Sequence, residues 1–242
     1  MAMVPSKQSV AFFLTVICAI VQNQSRAAMS RSTEAAISPL ARLLSAYAGK
    51  DAERHRLLWA LDGRMAQLVA STSEPMIGQI RLAWWREALE DEAAARGRGE
   101  PLIDAMRAAG IAPPPGLSQW LGGWEALLDE TDLPGFAAGR GGGLFRALAD
   151  SEDVPDWLVR AGAVWALWDL SGHSGDADLA DEAMALARRH LPEGTLPWPR
   201  GWKPLRIAYG LACADVERGR RAPAGLTPGL YLRLIAMALR GR

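Results

Sequence analysis

The sequence predicts a single all-α domain, and three observations carry that expectation. Half of the residues are hydrophobic, with Ala and Leu dominant over Val, Ile and Thr, a bias that favours helices over strands. Pro and Gly punctuate the chain at helix-length intervals. No segment alternates polar and apolar residues long enough to make a strand. The 242 residues suffice for one domain of about 200 residues with a full core.

Taken in order, helices are expected near residues 38–49, 51–72, 75–96, 101–110, 116–130, 141–150, 154–171, 176–191, 203–220 and 227–240. Ser38-Pro39, Glu74-Pro75 and Thr227-Pro228 read as starts, because proline suits the first helical position. Breaks fall at the Gly-Arg-Gly of 97–99, the three prolines of 113–115, Leu133-Pro134-Gly135, and the Pro-Trp-Pro of 197–199. No repeat, low-complexity tract or long linker divides the chain.

The N-terminus stands apart, as residues 1–28. Lys7 precedes an apolar run over 10–21, then polar residues and Ser25-Arg26-Ala27. That order matches a secretory signal with small residues at both cleavage positions, and the run is too short to span a bilayer. The other reading makes 1–28 a mis-assigned leader and Met29 the true start. The domain is therefore expected over 29–242, cytoplasmic or at a membrane surface in the second reading and exported in the first.

Charge and composition narrow the function. Lys+Arg and Asp+Glu both number 27, which removes the electrostatic footprint of a nucleic-acid binder. Cys18 and Cys213 lie too far apart in the chain to suggest a disulfide framework. His55, His173 and His190 show no metal-ligand spacing, so zinc is not expected. Ten Trp against four Phe point to large anchors in cavity walls or at a membrane interface.

The most informative segment is EPMIGQIRLAWWREALE, residues 74–90. At about 100° per residue, Ile77, Ile80, Leu82, Trp84, Trp85, Ala88 and Leu89 cover one wide arc. Arg81 falls inside that arc, about 40° from Ile77. A buried guanidinium requires a partner: a carboxylate in an internal ion pair, a set of helix carbonyls, or an anionic ligand such as a diphosphate.

This segment resembles the "P-x-x-G-x-I-R-L-x-W-W-R-x-A-L" helix of the squalene/phytoene synthase superfamily. Leu58-Trp59-Ala60-Leu61 stands where that family carries "L-Y-A-F". RGGGLFR (140–146) and AGAVWAL (161–167) resemble two of its later helices. The resemblance spans about residues 39–242 and implies an all-α isoprenoid-synthase-like bundle. Active members join two prenyl diphosphates head to head, using two Asp-rich clusters that hold Mg²⁺ against the leaving diphosphate.

The departures are specific. Aligning Ala60-Leu61 with "A-F" places the family's first "D-D-x-x-D" at Ala66, Gln67 and Ala70, with only Asp62 left, one turn early. Asp178, Asp181 and Glu182 form a remnant of the second cluster, although acids at a helix start also favour the macrodipole. A branch of the superfamily without Asp-rich motifs, which includes the respiratory complex I assembly factor, resembles this chain more closely.

Two further segments have competing readings. Residues 139–143 (GRGGG) open a helix and either bind phosphate or serve close helix packing. Residues 197–206 and 230–242 mix apolar residues with cations, as a core element or as a peripheral membrane contact.

The expectation is a non-catalytic squalene/phytoene synthase homologue: a scaffold or assembly factor with a protein partner, or a prenyl-lipid binder. A ligand pocket is expected at Arg81, Trp84 and Trp85, for a prenyl diphosphate or another lipophilic molecule. No cofactor is expected in that case. The alternative is a Mg²⁺-dependent prenyltransferase that uses Asp178, Asp181 and Glu182.

Overall fold

The computed structural model describes residues 37–192 and 194–239, and the possible signal or leader over 1–28 lies outside them. The described residues form an all-helical domain without strands. In order the helices are α1 (Pro39–Ala46), α2 (Ala52–Ala70), α3 (Pro75–Glu90), α4 (Pro101–Ala108), α5 (Leu117–Glu125) and α6 (Leu133–Phe136). A π-helical turn (Ala137–Gly141) joins α6 to α7 (Gly142–Ala149). Then follow α8 (Asp156–His173), α9 (Ala177–Arg189), α10 (Lys203–Glu217) and α11 (Pro228–Leu239). Among the described residues no helix is long and apolar enough to cross a membrane.

Local chemistry sets the ends. The Ser38 hydroxyl accepts the Ala41 N–H at the start of α1, and the Asp176 carboxylate accepts those of Asp178 and Leu179 at the start of α9. α3 stops at Glu90, earlier than the expected 96. The Asp91 carboxylate instead accepts the N–H groups of Ala93, Ala95 and Arg96, holding a turn that competes with helix.

The larger correction concerns Leu133-Pro134-Gly135, expected as a break. Asp132 accepts the Gly135 N–H and Pro134 takes the first turn, so Leu133-Pro134-Gly135 starts a helix that runs through the π turn to Ala149. Proline is a breaker only inside a helix; at its start the missing N–H costs nothing.

α8 is the central element, buried on nearly every face from Leu158 to Trp168, as expected of a helix that is hydrophobic all round. It packs against the π turn, α7, α9 and α10. Glycines allow backbones to meet there. A Cβ on Gly123 would lie 2.0 Å from the Arg140 nitrogen, and one on Gly141 would lie 2.4 Å from the Gly162 carbonyl. The GRGGG segment is therefore a packing device between α5 and α8, in the middle of a helix. At the far end, buried Asp215 accepts from Arg220 and Arg233 and ties α10 to α11.

His55 on α2 is buried, and its Nδ1 has no hydrogen-bond partner. Burial, reinforced by the Arg54 charge, pushes its pKa down from 6.5 to about 4. The unfolded chain thus takes up this proton at a higher pH than the folded one. The stability that His55 contributes is complete above pH 6.5 and falls as the pH drops towards 4, by at most about 3 kcal/mol. Urea midpoints measured between pH 7 and pH 4 should decline, and His55→Leu should flatten that part of the decline.

Candidate functional site

The one fully buried arginine of the described core is Arg140, in the π turn. Its Nε and one terminal nitrogen engage the Asp62 carboxylate of α2 at 3.1 and 2.6 Å. The same terminal nitrogen donates to Asp169 of α8 at 2.7 Å, and the other points to the Ala166 carbonyl at 3.5 Å. Asp62 also accepts the indole N–H groups of Trp120 and Trp124 at 3.0 and 3.1 Å. The guanidinium lies over the rings of Trp124 and Trp165, 4.4 and 4.7 Å from their centroids. Burial alone would disfavour its charge, but the two carboxylates outweigh that and raise its pKa above the ordinary value. The extra residue that the π turn absorbs sets the direction of this side chain, and such turns recur at sites of this kind.

This cluster lines one side of a cavity of about 500 Å³ between α1, α2, α5 and α8. Leu44, Ala66, Val69, Leu127 and Leu170 supply apolar wall, and Trp59, Trp124 and Trp165 supply aromatic wall. The polar lining comprises Ser38, Asp62, Arg140, Asp169 and His173. His173 is half exposed one turn beyond Asp169, with Nδ1 2.8 Å from the Asp169 carbonyl. In the cluster two carboxylates face one guanidinium. The arrangement can hold an elongated apolar molecule, and its one arginine is already engaged by two carboxylates.

Arg81, Trp84 and Trp85 line a different feature, a groove of about 560 Å³ between α2 and α3 shared with Arg64, Gln67, Leu68 and Ser71. The expectation that Arg81 is buried is corrected: it is exposed and forms no ion pair or hydrogen bond among the described residues. The apolar arc of α3 is wider than the face its neighbours cover. α2 and α5 cover the side of Gly78, Leu82, Trp85 and Leu89, leaving Ile77, Ile80 and Trp84 outside with Arg81 at the boundary.

Asp178, Asp181 and Glu182 are exposed on the first turns of α9 and line neither cavity nor groove. Asp181 pairs with Arg221. Among the described residues no group of His, Cys, Asp and Glu is arranged to hold a metal. The positions matched to the first Asp-rich motif divide between the two hollows: Ala66 and Ala70 face the cavity, Gln67 the groove.

Sequence reasoning misses the cluster itself, although each member carries a signal. Asp62, Arg140 and Asp169 are lone charges beside tracts of apolar or small residues: LLWAL before the first, GGGLF after the second, AGAVWALW before the third. Three charges of both signs on separate helices invite pairing, because none can be buried alone. No family model, curated protein or solved structure matches this chain.

Proposed function

We propose that this chain is a non-catalytic protein of the squalene/phytoene synthase type whose cavity holds a lipophilic, prenyl-like ligand. The observation that carries the reading is the composition of the α2 wall. Ala66 and Ala70 line the cavity where the resembling enzymes have metal-binding carboxylates. Both carboxylates that do line it, Asp62 and Asp169, are bonded to Arg140. Neither has the free, clustered oxygens that Mg²⁺ requires, so the residues present do not fit that ion. The large apolar and aromatic lining fits a branched hydrocarbon chain.

Titration with farnesol or geranylgeraniol, followed by calorimetry, tests this reading. Binding should be independent of Mg²⁺, and the corresponding diphosphates should bind no more tightly than the alcohols. Ala66→Phe, which fills the cavity from α2, should weaken binding at least about tenfold, with an unchanged circular dichroism spectrum. Turnover of a prenyl diphosphate that requires Mg²⁺ and disappears in Asp169→Asn would overturn the proposal.

A further inference from the structure

The outer face of α3 combines two features that rarely coincide on a solvated helix. Met76, Ile77, Ile80 and Trp84 are 72, 46, 62 and 43 % exposed, more surface than isolated apolar residues ordinarily show together. At about 100° per residue they form one continuous stripe roughly 100° wide, with Arg81 along its border. Beside the stripe runs the groove that carries Arg64 and Arg81. Both arginines are exposed, neither has an ion-pair partner among the described residues, and no carboxylate lines the groove.

The acids near this face do not neutralise it. Glu87 is engaged by Arg96, and Arg86 takes Glu125 on the far side. Glu74, at the start of the helix, is seven residues from Arg81, roughly 10 Å along the axis.

We infer that this face of α3 docks the protein on a bilayer rich in anionic phospholipid. The stripe supplies the apolar face that an interfacial helix sinks below the headgroups, and Trp84 supplies the amphipathic ring favoured at that depth. Arg64 and Arg81 lie where headgroup phosphates would meet them, and guanidinium groups bind phosphate oxygens in pairs. A second copy of the chain suits the face less well. A two-fold interface there would bury the exposed arginines of both copies, and no carboxylate lines the groove that holds them. This inference is independent of what the cavity holds.

Flotation of the full chain with phosphatidylcholine vesicles, with and without a quarter of phosphatidylglycerol, provides the test. The protein should float with the anionic vesicles only, and less at high salt. Each arginine near the surface contributes about fivefold, so Arg64→Ala with Arg81→Ala should weaken binding up to about thirtyfold. Ile80→Asp should weaken it comparably, and because Ile80 is mostly exposed the helical spectrum should not change. Equal flotation of wild type and both variants would overturn the inference, as would no flotation of the wild type. Self-association that Ile80→Asp abolishes, without vesicle binding, would assign the face to a second copy. Retention by an acidic polypeptide but not by vesicles would assign it to an acidic protein.

Discussion

Arg140→Met should cost about 3–5 kcal/mol of folding stability, read as a lowered urea midpoint with an unchanged slope. The loss is large because the methionine leaves Asp62 buried without its cation, while two indole N–H groups still hold the carboxylate in place. Natural domains have about 5–15 kcal/mol in total, so a loss of this size is a large fraction of the whole. Replacing both partners, Arg140→Met with Asp62→Leu, should recover a substantial part of the loss, since an apolar pair needs no desolvation of charge. Asp169 keeps some access to solvent, so losing its partner costs less there than at Asp62. A cost below about 1 kcal/mol for Arg140→Met would show that the cluster does not hold the fold together.

Gly123→Ala and Gly162→Ala should each cost about 3 kcal/mol, against the general preference of helices for alanine, which favours the change by about 1 kcal/mol. In both cases the new methyl group meets backbone, which cannot rotate away as a side chain can: Arg140 nitrogen in the first, the Gly141 carbonyl in the second. Gly122, the neighbour of Gly123 on α5, provides the control. A Cβ there meets nothing within 4 Å, so Gly122→Ala should be neutral or stabilising by up to about 1 kcal/mol. Thermal melts of the three variants separate steric contact from propensity. A mild effect for Gly123→Ala, similar to that of Gly122→Ala, would mean that α5 and the π turn are not in backbone contact.

Much of the helical architecture is legible in the sequence because its signals are local. Pro39, Pro75 and Pro228 start helices where their fixed backbone angle belongs, and the glycines of 97–99 separate two of them. What escapes depends on which surfaces neighbours cover. The periodicity of α3 reveals an apolar arc but not which edge of it is buried, so it points Arg81 to the interior when the residue lies outside. The site escapes for a related reason. Asp62, Arg140 and Asp169 stand 78 and 29 residues apart in sequence, and only the packing of α2, the π turn and α8 brings their atoms within 3 Å. Close packing does account for the glycines of GRGGG, yet the motif gives no hint that its arginine is the charged centre of the core.

The π turn also affects how this chain would line up with others. Counted along an uninterrupted α-helix, Phe136 and Phe145 are nine residues apart and face opposite ways, roughly 180° around the axis. Both are fully buried, and absorbing one residue in the turn reduces that angle to roughly 80°. A relative whose helix is straight would match both flanks only by omitting one residue between these two phenylalanines. A single-residue gap at that point is therefore not a trivial difference in length. It would mark a protein whose segment no longer swings an arginine onto the carboxylates of the neighbouring helices.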